Sequence, residues 1–266
     1  AGLHRGAKAL RSSVEHRSCD SNAEFEEMTS SRPDAKVLYV TCLETTTLLT
    51  TCQANLKGFN AKTVIESGGV WCNQKRLTDP NIEVKAGQTL KVYTCPTQGY
   101  RYLFAKQLII KETDDWVVVL KEPLITVAMD RSNQYFNLMA GLNDYYGFSD
   151  FTQGVQPITR LDYRVGGVCL FSKHKAAERM LFKQMQQRRI KKRYMCAVHR
   201  RGQDVGSAKK IVKVKNKLSQ KFKAYQDPVH GKDAETWFVP VSEGVQQEYG
   251  KGGACALYYA FTKTGR

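Results

Sequence analysis

Trp116-Val117-Val118-Val119-Leu120 is a wholly apolar run of five, entered through Asp114-Asp115 and stopped by Pro123. Its shortness and its valines make it a buried strand, and the residue before a proline is pushed out of the helical region. Leu108-Ile109-Ile110 lies just upstream, so residues 107–123 read as strand, acidic turn, buried strand. A membrane span needs ~18–20 consecutive apolar residues, and no run here approaches that. A chain of 266 residues can bury a sizeable core without staples. Aromatics at 10% and abundant Val, Ile and Leu exclude a disordered polymer. One large domain, or one with a smaller module in front, fits the length.

Charge is the outlier. Lys and Arg number 41 against 25 Asp and Glu, a formal net charge of +16. Most of it is local, because residues 183–223 hold fifteen cations and one acid, Asp204. Among them are Arg188, Arg189, Lys191, Lys192, Lys209, Lys210, Lys213, Lys215 and Lys217. A charge run is ordinarily a solvated face. One this lopsided is expected to follow a phosphate backbone, which makes these residues RNA-binding candidates.

Eight cysteines and five histidines are scattered, with no C-x-x-C pair. Zinc sites need ligands paired at short spacing, so no metal and no cofactor is expected. Scattered thiols in a core-forming chain predict reduced, buried cysteines and an intracellular, reducing compartment. Residues 1–18 carry Arg5, Lys8, Arg11 and Arg17 against Glu15 alone. They read as the remnant of a transit region, a basic tail touching RNA, or a frayed terminus. The mitochondrion is placed ahead of the cytoplasm on that stretch.

Residues 1–35 are expected to form a basic and polar extension. Thr45–Thr51 is open between helix and strand. Ala61 to Ser67 predicts a short helix closed by Gly68-Gly69. Val70-Trp71-Cys72-Asn73 follows, with a turn at Gln74-Lys75, and Thr89-Leu90-Lys91-Val92-Tyr93 alternates as a strand. This order resembles the S4-like RNA-binding fold, with Asn73 on its turn, Gln74 in place of the turn Gly and Gln88 in place of an Asp. It implies a module over 36–96 ahead of a catalytic domain over 97–266. Residues 128–157 read as irregular and aromatic-rich. Lys173 to Gln187 predicts a helix with Ala176, Ala177, Met180 and Leu181 on one stripe. Residues 203–231 show no strong period.

Four segments carry a second resemblance. They are Thr159-Arg160-Leu161-Asp162-Tyr163-Arg164-Val165-Gly166-Gly167, Arg188–Val198, Gly231-Lys232-Asp233-Ala234-Glu235-Thr236-Trp237-Phe238, and Ala256 to Lys263-Thr264-Gly265-Arg266. With the block at 109–123, their order and spacing resemble the RluA-type family of RNA pseudouridine synthases over roughly residues 60–266. The resemblance implies an α+β fold: a mixed, mostly antiparallel central sheet with flanking helices. It places Asp162 on the catalytic aspartate, Tyr194 on the tyrosine that stacks on the target base, and Arg266 on the basic partner of the aspartate. Arg160 falls on the Arg near the flipped nucleotide. Thr159 stands where the family has His, Val165-Gly166 where it has Thr-Ser, and Glu122-Pro123 where it has Lys-Pro. The family's H-Q-I-R would follow Arg266, so the C-terminal part of the catalytic domain is expected beyond this chain.

The chemistry asks for the same residue types. Turning uridine into pseudouridine breaks an N–C bond at C1′ and makes a C–C bond to C5, without redox or metal. It needs one ionised carboxylate beside the sugar, a guanidinium to keep it ionised and an aromatic face for a base taken out of its stack. The expected partner is a structured rRNA or tRNA, with a ribosomal or pre-ribosomal particle as a further possibility and no membrane. The alternative is a catalytically silent RNA-binding or ribosome-assembly factor on the same fold.

Overall fold

The structure, a computed structural model, describes residues 36–151, 153–199, 212–218, 224–225, 232–241, 247–248 and 254–262. It divides into two units, one within residues 1–179 and one within residues 180–266.

The first unit opens with a four-stranded antiparallel sheet. β1 (Lys36–Thr41) lies at one edge. Thr46–Thr47 forms a two-residue strand, β2, and α1 (Leu48–Asn55) follows at once. The threonine-rich stretch is therefore both strand and helix: Thr47 Oγ1 accepts the Thr50 amide at 3.2 Å and starts α1. Helix α2 (Ala61–Glu66) starts on Asn60 Oδ1, which accepts the Thr63 amide at 3.0 Å. It stops as the glycines predict, with Gly68 at φ 81°. β3 (Val70–Cys72) and β4 (Lys75–Leu77) form a hairpin. Its turn falls on Asn73 and Gln74 (φ 48° and 65°), one residue earlier than Gln74-Lys75. Two central residues at positive φ match the twist of a two-residue hairpin. β5 (Glu83–Val84) pairs with β2, and β6 (Thr89–Thr94) completes the sheet in the order β1-β6-β3-β4. Val40, Leu48, Cys52, Val64, Ile65, Val70, Leu90 and Val92 form its core.

A second sheet in the same unit carries the site. β7 (Ile109–Glu112) and β8 (Trp116–Lys121) make the expected hairpin, with Thr113 Oγ1 accepting the Asp115 and Trp116 amides in the turn. Residues 128–157 are not irregular throughout, since α3 (Leu138–Tyr146) runs through them. Its Asn137 cap accepts the Ala140 amide at 2.9 Å, and Gly147 closes it at φ 78°. Leu138 through Asn143 are all buried, so the helix has no polar stripe for a helical period to reveal. β9 (Gln156–Pro157) and β10 (Gly167–Ser172) complete the sheet in the order β7-β8-β10-β9. Its core joins Val117, Val119, Leu138, Met139, Leu142, Val155, Cys169 and Phe171.

The loop before α3 ties the two sheets together. Asp130 Oδ1 accepts the Ser132 and Asn133 amides. Trp71 Nε1 donates to the Arg131 carbonyl at 2.9 Å, Gln98 to the Ser132 carbonyl at 2.7 Å, and Asn133 Nδ2 to the Tyr100 carbonyl at 3.1 Å.

Helix α4 (Lys175–Gln186) forms where its spacing predicts, with Ala177 and Leu181 buried. The second unit is antiparallel. Its strands are β11 (Arg193–His199), β12 (Val212–Leu218), β13 (Ala224–Tyr225), β14 (Lys232–Pro240), β15 (Gln247–Glu248) and β16 (Ala254–Thr262). They run in the order β11-β16-β14-β12-β13, with β15 on β16. β12 lies inside the stretch read as aperiodic. Its Val-Lys-Val-Lys alternation is a strand period, but the surrounding lysines obscure it. The chain is thus mixed α and β with antiparallel sheets, as expected.

Candidate active site

Asp162 stands exposed on the loop between β9 and β10, and Arg160 is exposed on the same loop. The loop leaves the sheet in an orderly way. Ile158 N donates to the Leu170 carbonyl at 2.8 Å, and Thr159 Oγ1 accepts the Leu170 amide at 2.9 Å. These bonds extend the β9–β10 ladder by two residues. Leu161 then packs onto the core of the second sheet. Asp162 follows and opens a turn in which the Val165 amide donates to the Asp162 carbonyl at 3.0 Å. The anchored Leu161 and the closed turn leave the carboxylate facing solvent on a short, fixed segment. Gly167 returns the chain to β10 at φ 141°, where a residue with a side chain is strained.

Sequence reasoning missed one residue here. Lys121 ends β8 and is 1% exposed. Its Nζ donates to three carbonyls: Val165 at 2.6 Å, Glu122 at 2.9 Å and Tyr163 at 3.4 Å. Three ammonium protons thus meet three acceptors, which is what a buried charge requires. Burial pulls the Lys121 ammonium below its ordinary range, while Cys169 and the Asp162 carboxylate oppose that pull. Burial in turn pushes the neighbouring Cys169 thiol up to about 11. The available signal was strand parity: Val117 and Val119 point inward, so Lys121 does too. Glu122, where the family has Lys, accepts the Tyr102 hydroxyl at 2.8 Å.

The remaining candidates lie in the second unit or outside the described residues. Tyr194 is half-buried in β11, in register with Ala260 of β16. Beside it in sequence, Arg193 places its guanidinium 4.8 Å from the Tyr259 ring centroid. Arg188 and Arg189 close α4. The Arg188 amide reaches the Met185 carbonyl and the Arg189 amide the Gln184 carbonyl, both at 3.0 Å, with Arg188 at φ 57°. This is a Schellman ending with arginine in the glycine position. Lys191 is exposed and Lys192 half-buried before β11. Lys213, Lys215 and Lys217 hold alternate positions of β12, in register with Trp237, Glu235 and Asp233 of β14. Arg266, Lys209 and Lys210 lie outside the described residues.

Among the described residues, no group of three or more His, Cys, Asp or Glu could hold a metal, and six cysteines are free. No helix there is long and apolar enough to cross a membrane.

Comparison with known proteins bears on these segments. The chain is 33% identical over 108 residues to the dual-specificity RNA pseudouridine synthase RluA of Pasteurella multocida, covering 40% of this chain and 43% of that protein. It is 24% identical over 184 residues to the ribosomal large subunit pseudouridine synthase C of Escherichia coli, covering 66% of this chain and 56% of that one. The chain therefore spans about half the length of these curated relatives. Among solved structures, human RNA pseudouridylate synthase domain containing 4 aligns with a TM-score of 0.45 at 16% identity, covering 60% of each chain. Residues 115–266, more than half of the sequence and the part holding β8, the Asp162 loop and β11, match the RNA pseudouridylate synthase family, and the chain belongs to it.

Proposed function

We propose that the protein is an RNA pseudouridine synthase that converts uridine to pseudouridine in a structured rRNA or tRNA. The observation that carries this reading is the family match over residues 115–266, which includes the turn on which Asp162 stands exposed. In the reaction the N1–C1′ bond breaks, the uracil turns over, and C5 bonds to C1′. The C5 proton leaves to solvent and N1 gains one. Asp162 is the carboxylate beside the sugar, as nucleophile or as base for a sugar proton. Tyr194 offers the aromatic face for the extruded base. Arg266 is the guanidinium that keeps the carboxylate ionised, and Arg160 meets the flipped nucleotide.

RNA is held by residues outside that chemistry. Arg188, Arg189, Lys191, Lys192, Lys209, Lys210, Lys213, Lys215 and Lys217 supply phosphate contacts. Residues 36–96 act as an S4-like module. Supporting this, Lys91 lies 4.8 Å from the Tyr39 ring and Arg76 4.7 Å from the Trp71 ring, interleaving cations with aromatics. Among the described residues six cysteines are free, which supports a reducing compartment, and the basic residues 1–18 favour the mitochondrion.

The test uses the leaving C5 hydrogen. Transcripts of tRNA and rRNA labelled with [5-³H]uridine should release tritium with the wild-type protein. Asp162→Asn should bind the same RNA and release none. Equal release by Asp162→Asn removes Asp162 from the chemistry. No release by either protein, with RNA still bound, returns the reading of a silent assembly factor.

A further inference from the structure

Lys121 is a buried charge that the reaction as written does not use. We propose that Lys121 is a positioning residue for Asp162: its ammonium ties the turn that presents the carboxylate to the end of β8. The inference rests on the reading of Asp162 as the catalytic carboxylate.

The geometry is specific. The turn from Asp162 to Val165 is closed by one backbone bond, Val165 N to Asp162 O at 3.0 Å. Two of its other carbonyls, Tyr163 and Val165, point back to Lys121 Nζ at 3.4 and 2.6 Å. The Leu124 amide also donates to the Tyr163 carbonyl, at 2.8 Å. The Lys121 ammonium and the Leu124 amide thus both hold the inner side of the turn. The opposite side of the loop is held by Thr159 and Leu170. Asp162 sits between these two attachments.

Charge state matters as well as shape. As an ammonium, Lys121 gives one proton to each of its three carbonyls. As an amine it has two protons and a lone pair, so one carbonyl would face a lone pair in a buried site. The titratable groups facing it are the Cys169 thiol on β10 and the Asp162 carboxylate on the loop. Glu122 offers its carbonyl, while its carboxylate accepts from Tyr102. The Asp162 carboxylate opposes the pull of burial and so favours the protonated lysine. Losing that proton would loosen the turn and remove a positive charge from behind the reacting group.

The experiment has one arm that needs no activity. The Arg164 and Gly166 amides belong to the peptide units whose carbonyls Lys121 holds. In an NMR titration of the wild-type chain their shifts should move together through one alkaline transition below lysine's ordinary ~10.4. Lys121→Arg should lack it. The second arm is tritium release from the labelled transcripts. Lys121→Met should lower kcat roughly 10²-fold, the scale expected when a reacting group is misplaced, with KM within about threefold. Lys121→Arg should recover to within about tenfold of wild type, and wild-type activity should fall through the same alkaline transition. A wild-type chain without the shared transition overturns the inference, and so does a Lys121→Met variant with wild-type kcat. If Lys121→Met does not fold, the wild-type titration decides alone. If the wild type releases no tritium but shows the transition, the brace stands and the synthase reading fails.

Discussion

Thr159 Oγ1 accepts the Leu170 amide at 2.9 Å, closing the mouth of the loop that carries Asp162. The family's histidine is replaced here by a residue whose hydroxyl continues the ladder. Thr159→Val keeps the shape and loses the acceptor, leaving the Leu170 amide without this partner. It should cost about 1 kcal/mol, measured by urea unfolding. Thr159→Ser should stay within about 0.5 kcal/mol of wild type.

Two adjacent glycines should respond oppositely to alanine. Gly167 sits at φ 141°, and an added Cβ would also meet Leu161 Cδ1 at 3.4 Å. Gly167→Ala should destabilise by about 1–3 kcal/mol. Gly166 has only ordinary contacts, with the Lys121 carbonyl and Pro123 Cδ both at 3.4 Å from a built Cβ. Gly166→Ala should range from neutral to about 0.5 kcal/mol more stable. Paired thermal or urea melts separate the two. Equal losses would mean that backbone conformation is not what selects glycine at 167.

The legible parts of this chain are those whose pattern repeats locally. The Trp116–Lys121 strand, the stripe of α4 and the glycine stop after α2 each declare themselves within a few residues. Helix α3 does not, because Leu138 to Asn143 is buried all round and only its Asn and Gly ends mark it. At the site, Asp162 was singled out by the family resemblance of its segment, and the structure shows it exposed on a loop. Its support was not. Lys121 lies 44 residues before Val165 in sequence, and a lysine at the end of an apolar run looks like the edge of a strand until the register shows it facing inward.

An acid-sensitive cluster sits at the far end of the same sheet. Glu112 accepts Lys173 Nζ at 2.5 Å and the Tyr146 hydroxyl at 2.8 Å, joining β7, α3 and the end of β10. The Lys173 hydrogen bond, then that of Tyr146, holds the Glu112 carboxyl below its usual range. A carboxylate with a depressed folded pKa stabilises above its unfolded value of ~4.3, and that contribution disappears as pH falls through the folded value. Wild type should therefore exceed Glu112→Gln in urea midpoint at neutral pH, and the gap should narrow as pH falls below the unfolded value. A gap that persists in acid would assign the effect to packing.

Arg188 pays conformational strain for its place. A non-glycine residue at φ 57° in a Schellman ending costs about 1 kcal/mol. Arg188→Gly should raise stability by about that amount. If Arg188 meets phosphate, the same variant should bind RNA several-fold more weakly. Unfolding and filter binding on one preparation check both signs. A variant that gains stability and binds RNA unchanged would leave Arg188 out of the interface.

The lysines of the basic stretch should not contribute equally. Lys215 and Lys217 stand in register with Glu235 and Asp233 across β12 and β14, whereas Lys213 stands opposite Trp237. Unlike charges in register on neighbouring strands attract, which predicts that Lys215 and Lys217 give less to phosphate contact than Lys213. Each lysine that releases a counterion on binding adds roughly 0.7–0.9 to the slope of log affinity against log salt. Lys213→Ala should lower that slope by about one such step. Lys215→Ala and Lys217→Ala should change it less. Neutralising Lys209, Lys210 and Lys213 together should remove about two to three steps with little dependence on RNA sequence. Salt titrations of binding to a single rRNA transcript measure all of these. Equal slope changes at 213, 215 and 217 would show that the register pairs do not hold their lysines back from the phosphates.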